Sequence, residues 1–455
     1  METTSASTNS WFRRHRFAVL GWGGIILFTL LLVSYTQFQN WRSRQKMAAQ
    51  LAAIRAQGLP ASTAELNAWY VEPPVNQNAA TIYLSAFPLM VGIPPTGPWF
   101  DSYSKSNILS RTNPIPALAR AELARVISSN QNALKLLYEG SQLSTARYPV
   151  NLTAGYNTLL PHATQLRDAV RLLCLESLHH TVENHPQAAI DSLIVSLKAA
   201  SSLSDEPTLI SHLVQIAGYF TTCTALENIL NRTALPPSLL KPLLMELETA
   251  ENALNLPRAM TGERAMALEI FNNSQRIAKA SFEQSLISSF YEITGLNEQD
   301  FALHTVLMEQ SIAASGKPAE QITAAFAEVD KALRIQVADA KLRLRITRIT
   351  IPALLKAGER NVTARAYLRL ARAALLLHIY QSEHAGDLPE NLTSIPGIPL
   401  DPFDASPLRY RKTATGFDLW SIGPDGLDND GKPRKKGSYK DDYDILFTVE
   451  KAPSP

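Results

Sequence analysis

Nineteen consecutive residues without a charge, FAVLGWGGIILFTLLLVSY at positions 17–35, constrain this chain more than anything else in it. A helix rises about 1.5 Å per residue, so the run covers roughly 28 Å, close to the roughly 30 Å of hydrocarbon in a bilayer. Eleven of these residues are Leu, Ile, Phe or Val. Each favours insertion by roughly 0.3–0.6 kcal/mol at a helix centre, which outweighs the weak helix formers Gly21, Gly23 and Gly24. A buried core helix is the competing reading, but one this long ordinarily shows a polar face. A cleaved signal peptide is another, yet the following TQFQNWRSRQK lacks a small-x-small site, so the segment is expected to stay attached. Arg13, Arg14 and Arg16 precede the run and Arg42, Arg44 and Lys46 follow it, which leaves orientation almost balanced on positive charge. The expectation is an amino terminus inside and a large domain outside, the usual arrangement of an uncleaved signal anchor. Gly21 and Gly24 are three apart rather than the four of a tight helix-dimer motif, so no dimer is read from them.

The chain has 455 residues, 45% hydrophobic, which is enough for about two or three ordinary domains with a sizeable core. A net charge of +2, with no zinc-finger or helix-turn-helix spacing, argues against nucleic acid as a partner. The two cysteines, Cys174 and Cys223, sit in apolar helix-like runs. They read as small buried side chains, or as one disulfide in an oxidising compartment.

Beyond the span, Phe38, Trp41, Leu51 and Ile54 predict a stalk helix to about Ala56, broken by Gly58 and Pro60. Ser62-Thr63-Ala64-Glu65 fits a capping box that opens a short helix. Positions 78–90 read as helix and 91–116 as a long surface loop. From about 117 to 356 the pattern is helical: Leu166, Val170, Leu173 and Ser177 share a face, as do Ile190, Leu193, Ile194 and Leu197, and Leu209, Leu213, Ile216 and Phe220. Breaks fall at Pro186, Pro207, Pro236-Pro237 and Pro257, near helix starts where a missing N–H costs least, and the short connections imply antiparallel helical hairpins. An offset of fifty aligns Pro186, Ile190, Leu193, Leu197, Ala200 and Pro207 with Pro236, Leu240, Leu243, Leu247, Ala250 and Pro257, either a repeat or two amphipathic helices of equal length. Lys341, Arg343 and Arg345 alternate with apolar residues, as a solvated helix face or as a cationic strand face for anionic lipid or an acidic partner.

After Asn361 a helix carries Leu368, Ala371, Leu375 and Ile379 on one face, followed by strand-like runs at 408–412, 417–422 and 445–449. The order Tyr380, Gly386, Pro389, then Asp401-Pro402-Phe403, Pro407-Leu408-Arg409-Tyr410, Ser421-x-Gly-x-Asp425-Gly426 and Asp442-x-Asp444-Ile445 resembles the globular domain of the major pseudopilin of type II secretion systems. The resemblance implies a helix packed on a small antiparallel sheet, with a calcium-binding acidic loop before the last strand. It points to Asp425, Asp442 and Asp444 as ligands, with Asp428 and Asp430 as additional candidates. The chain lacks that family's peptidase site before the apolar helix, and a long helical region separates the helix from the block. Asn78-Ala79-Ala80 with Tyr83 and Phe87 is similar to the start of uncharacterised membrane-anchored bacterial proteins that end in the same block.

Independently of any family, clustered carboxylates in a turn-rich loop repel one another, and a hard dication with six to eight oxygen ligands relieves that repulsion. Gly423, Gly426 and Gly431 permit a tight backbone. The alternative is a solvated acidic loop neutralised by Lys432, Arg434, Lys435, Lys436 and Lys440. An EF-hand does not fit, because its first Asp would fall on Gly426.

No H-E-x-x-H, G-x-S-x-G, Walker or dinucleotide fingerprint is present. Glu176 and His179 form a single E-x-x-H where a di-metal bundle needs two, which favours a surface histidine, and His179, His180 and His185 near a helix end read either as a transition-metal site or, more simply, as a favourable interaction with the helix C-terminus.

The expected architecture is mainly α. It comprises a tail at 1–16, a transmembrane helix at 17–35, a stalk at 36–60, an extracytoplasmic helical-hairpin domain at 61–360 and an α+β module at 361–455. The expected role is a membrane-anchored interaction or assembly protein linked to secretion or the cell envelope, calcium its cofactor and the bilayer its partner. The alternative is an envelope hydrolase with its site in a cleft of the helical domain.

Overall fold

The computed structural model describes residues 7–94, 114–233, 235–272, 296–338, 344, 346–433 and 443–450. The chain is mainly helical, with one three-stranded antiparallel sheet. The cationic alternation at 341–345 and most of the loop at 91–116 lie outside the described residues.

The apolar run lies within a single 50-residue helix, α1 (Ser7–Ala56), which ends where the sequence predicts. Gly58 follows at φ 71, a backbone conformation that lets the chain turn back without a Cβ clash. The end of α1 is not a free stalk. Ile54 is buried with Leu268, Phe271 and Phe301, and Met47 and Leu51 pack at the edge of this cluster, so the part of 36–60 that projects from the body ends near Met47. The next helix, α2 (Thr63–Trp69), reinforces the junction. Glu65 N–H donates to Ser62 Oγ at 3.3 Å, while the Glu65 carboxylate accepts from Ala61 N at 2.8 Å and Arg55 Nε at 2.9 Å. The capping box is therefore present, with its return bond made one residue earlier than the usual form. Asn78 caps α3 (Ala79–Ala86) and pairs with the backbone of Arg147.

The body follows as α4 (Ala117–Ser129), α5 (Gln131–Gly140), α6 (Pro161–Val182), α7 (Pro186–Ser201), α8 (Leu209–Leu230), α9 (Pro237–Asn252) and α10 (Leu256–Asn272). Then come α11 (Leu296–Ser315), α12 (Ala319–Ala338) and α13 (Thr347–Glu383). Proline stands in the first turn of α6, α7 and α9, as its missing N–H dictates. At Pro207 a different solution appears: α8 starts two residues later with Thr208 as its cap. The face predicted for α6 is buried, as is that of α7 apart from the half-buried Ile194. For α8 the prediction is rotated, since Leu213 is 37% exposed while Gln215, Ile216, Tyr219, Cys223 and Leu226 face the core. The periodicity misplaced this face because its inward stripe includes polar side chains that find partners. In the fifty-residue alignment, Ile190, Leu193 and Leu197 and their counterparts Leu240, Leu243 and Leu247 are all buried, and α7 packs on α9. Both cysteines are buried, free thiols.

Among the described residues α8 alone is long and apolar enough to cross a membrane, and Gly21–Tyr35 is a shorter apolar stretch. Yet 56% of the apolar window in α8 is buried inside the bundle, where His212 meets Asn361 at 3.2 Å and Gln215 Nε2 donates to Ala253 O at 3.1 Å. It has the environment of a core helix.

The sheet comprises β1 (Arg409–Lys412), β2 (Phe417–Ser421) and β3 (Ile445–Val449), with Tyr410 opposite Leu419 and Leu419 opposite Phe447. Phe417, Leu419, Ile445, Phe447 and Val449 pack into the same core as α6–α9 and α13. The boundary expected between 360 and 361 falls inside α13, and the sheet shares one hydrophobic core with the bundle. The end of α8 also borders β3: Thr448 N–H donates to Glu227 Oε1 (2.8 Å), Asn231 Nδ2 donates to Thr448 O (2.8 Å), and Glu450 N–H donates to Asn231 Oδ1 (2.7 Å). Two side chains thus satisfy the strand edge that would otherwise be open to pairing.

Close backbone contact joins α10 to the start of α8. A Cβ on Gly262 would fall 1.8 Å from Pro207 O, whereas one on Gly316 would meet nothing nearer than 3.8 Å. Gly262→Ala is expected to destabilise the body by about 1–3 kcal/mol, the range for overpacking, with Gly316→Ala costing much less. Urea unfolding of both variants checks this, and equal midpoints would refute it.

Candidate functional site

The acidic loop leaves β2 and returns into β3. Ser421 ends the strand and Gly423 takes φ 70; a Cβ there would fall 2.5 Å from Tyr443 O, so only glycine allows the two ends of the loop to lie this close. Asp425 makes an Asx turn, accepting from Leu427 N at 3.1 Å, and also accepts from Asn429 Nδ2 at 2.9 Å. Asp444, 1% exposed, accepts from Asn429 N at 3.1 Å and Gly431 N at 2.7 Å. Burial pushes its carboxyl up, and these backbone donors oppose the shift only in part. Two of the predicted ligands therefore meet at one residue, Asn429, through its side chain and its backbone.

The other candidates are placed differently. Asp428 accepts from Trp420 Nε1 at 2.9 Å and lies 3.6 Å from Arg409 Nε; the indole bond, ahead of the guanidinium, holds its carboxyl below the usual range. Asp430 pairs with Arg411 Nη1 at 3.2 Å and is mostly exposed. Neither joins Asp425 and Asp444. Asp442, along with 434–440 of the basic stretch, lies outside the described residues. Among the described residues no three His, Cys, Asp or Glu side chains converge on a point that would hold a metal ion. The described donor set for a calcium ion is thus narrower than the sequence predicts: Asp425 and Asp444, short of the six to eight oxygens calcium takes.

The residues that organise the loop are ones the sequence reading did not weigh as site residues. Asp401 is fully buried and accepts from Phe403 N (3.0 Å), Ser421 Oγ (2.8 Å), Ile422 N (3.0 Å) and Arg409 Nη1 (2.9 Å). Burial raises its carboxyl, and the donors around it counter that. Arg409 also pairs with Asp404 at 2.6 Å, while Arg411 pairs with Asp418 at 3.0 Å and lies over the Trp420 ring. Arg409 and Arg411 are two apart on β1, so strand alternation puts both on one face, and that spacing beside an acidic loop was the available signal.

Two further clusters bear on chemistry. Glu176 accepts from Tyr138 Oη and Ser192 Oγ at 3.0 Å each, and its other oxygen lies 4.0 Å from His180 Nε2, so the E-x-x-H does not act as a pair with His179. The His180 ring lies 5.8 Å from that of His179 and 6.1 Å from that of His185, and burial first, then its two histidine neighbours, lowers the His180 pKa. Deeper, His162 Nε2 lies 3.0 Å from Glu206 Oε2 and stacks on Tyr148, while Ser211 Oγ donates to the same carboxylate. The serine proton points at Glu206 rather than at His162, and every member is buried. The cluster has the geometry of a clasp on the start of α8 rather than that of a nucleophile facing a base.

Asp401→Ala removes the partner of a buried guanidinium contact and leaves two N–H groups and a hydroxyl without their acceptor. It is expected to cost about 3–5 kcal/mol, with Asp401→Asn costing less. Thermal and urea unfolding of the two variants check this; a parent-like midpoint for Asp401→Ala would refute it.

Comparison with known proteins gives no matching family model, no matching curated protein and no matching solved structure.

Proposed function

We propose that the chain is a single-pass protein of the cytoplasmic membrane, with its helical body outside the cytoplasm, serving as an interaction or assembly component of secretion or the envelope. The observation that carries the reading is α1. Trp22, Ile25, Phe28 and Leu31 are 57–69% exposed along a helix that continues without a break into the body. Apolar surface of that extent on a projecting rod is costly in water and favourable in a bilayer. Within it the Thr29 hydroxyl donates to Ile25 O at 2.8 Å, so the helix satisfies its own polar group as a hydrocarbon environment requires. The docking of Ile54 fixes the rod to the body, so an anchor there restrains the whole domain.

The pseudopilin likeness and the calcium site belong to the same proposal. A helix packed against a small antiparallel sheet supports the first. The meeting of Asp425 and Asp444 at Asn429 supports the second, with Asp442 as the remaining candidate.

Two outcomes are expected. After cell lysis the protein should sediment with membranes and resist alkaline wash, and Leu27→Arg/Leu30→Arg, costing roughly 2.5–3.5 kcal/mol per charge, should move it to the soluble fraction. A parent protein found in the soluble fraction would overturn the anchor. Millimolar calcium should raise the melting temperature, and Asp425→Ala/Asp444→Ala should abolish the rise; an identical melting curve with calcium and with chelator would overturn the site.

A further inference from the structure

A partly open cleft of about 290 Å³ lies where the end of α7 and the flank of α9 face the loop after α5. Most of its polar rim is already committed. Ser141 Oγ donates to Tyr138 O, Thr145 Oγ1 to Gln77 O, and Ser201 and Ser202 to the carbonyls of Leu197 and Ala199. Such bonds stiffen the wall and leave few donors for a ligand. Two charged side chains are different. Lys198 and Glu246 both line the cleft, and among the described residues neither side chain forms an ion pair or a hydrogen bond. Lys198 stands in the last turn of α7, where the helix end favours its positive charge. Burial raises the Glu246 carboxyl, and the Lys198 charge opposes that in part.

We propose that this cleft binds a small zwitterion, a free amino acid or the ends of a very short peptide, with its carboxylate on Lys198 and its ammonium on Glu246. Lys198 and Glu246 are half-buried opposite charges that line one cleft without an ion pair or hydrogen bond between them, and a ligand carrying both complements meets both at once. A neutral sugar would instead need unspent hydroxyl and amide partners, which the rim largely lacks. The volume equals that of about ten water molecules, ample for a single amino acid.

The test uses the full-length protein in detergent micelles, with calorimetry and thermal shift against the twenty amino acids and a glycine-containing dipeptide panel. At least one zwitterion is expected to bind saturably, and its N-acetyl and carboxamide derivatives should each bind about tenfold or more weaker, as loss of one charged contact predicts. Lys198→Met and Glu246→Gln should each weaken binding by a similar factor. Absence of binding across both panels overturns the proposal, as does a zwitterion whose affinity is unchanged by both caps and both variants. Preference for the dipeptides over the free amino acids would identify peptide ends as the ligand, and the reverse would identify free amino acids. The cleft is remote in sequence from α1 and the acidic loop, so failure here leaves the anchor and calcium readings to their own tests.

Discussion

The carboxylate of Glu251 on α9, 5% exposed, holds the molecule together at its centre. It receives Arg369 Nε at 2.7 Å and Arg372 Nη1 at 3.2 Å, with Arg365 Nη1 at 3.7 Å, all from α13. Arg369 reaches on to Glu320 of α12 at 2.6 Å. Charges so enclosed contribute little net stability by themselves, since desolvation offsets much of their attraction, but losing the shared acceptor would strand the guanidinium groups. The cluster therefore fixes which side of α13 faces α9 and α12 more than it adds to the depth of the fold. The same helix begins on another buried carboxylate: Asp300 of α11 accepts from Ile346 N at 2.8 Å and Thr347 N at 3.2 Å. With its start and its middle pinned, α13 delivers Leu368, Ala371 and Leu375 to the core it shares with the sheet, and sets the His378 ring 5.9 Å from that of Phe417.

That orientation reaches the acidic loop. The register of β3 is held on one edge by β2 and on the other by Glu227 and Asn231 of the α8 terminus. A slip of one residue would turn Ile445, Phe447 and Val449 out of the core, so the strand cannot drift. Asp444, immediately before Ile445, is thereby set under the loop amides of Asn429 and Gly431. The loop inherits its shape from a framework whose partners lie more than two hundred residues away in sequence.

Features decided by neighbouring residues were legible in the sequence. The capping box at Ser62, the proline-initiated helices, the end of α1 at Ala56 and the three strands all follow from local backbone chemistry and periodicity. Features decided by distant partners were not. The α8 face was misjudged because Gln215 and His212 point inward, which hydropathy counts against, and Ala253, Tyr219 and Asn361 make that burial tolerable. The boundary expected at 360/361 lies within α13: Pro352 sits in an early turn of that helix and Asn361 in its interior, where it faces His212 rather than solvent. In the acidic loop the carboxylates were visible, but their division was not. Arg409, Arg411 and Trp420 draw Asp428 and Asp430 to one side, and no spacing rule for acids alone contains those three residues.

The contrast between the apolar run of α1 and α8 shows what separates an exposed apolar helix from a core helix. In α8, polar side chains are spread along the helix; Thr221, Thr222 and Thr224 close bonds within it, but His212, Gln215 and Asn231 reach groups elsewhere in the body, so removing α8 from the bundle would leave both sides unsatisfied. In the apolar run of α1 the described hydroxyl bond, from Thr29 to Ile25, closes within the helix itself. A helix that needs partners must be packed by protein, whereas one that has internalised its hydrogen bonds is free to be surrounded by hydrocarbon. Mean hydropathy counts polar atoms without asking where they are satisfied. The proposal of an anchor in α1 rather than α8 rests on that distinction and on the exposure of Trp22, Ile25, Phe28 and Leu31, against the burial of 56% of the apolar window in α8.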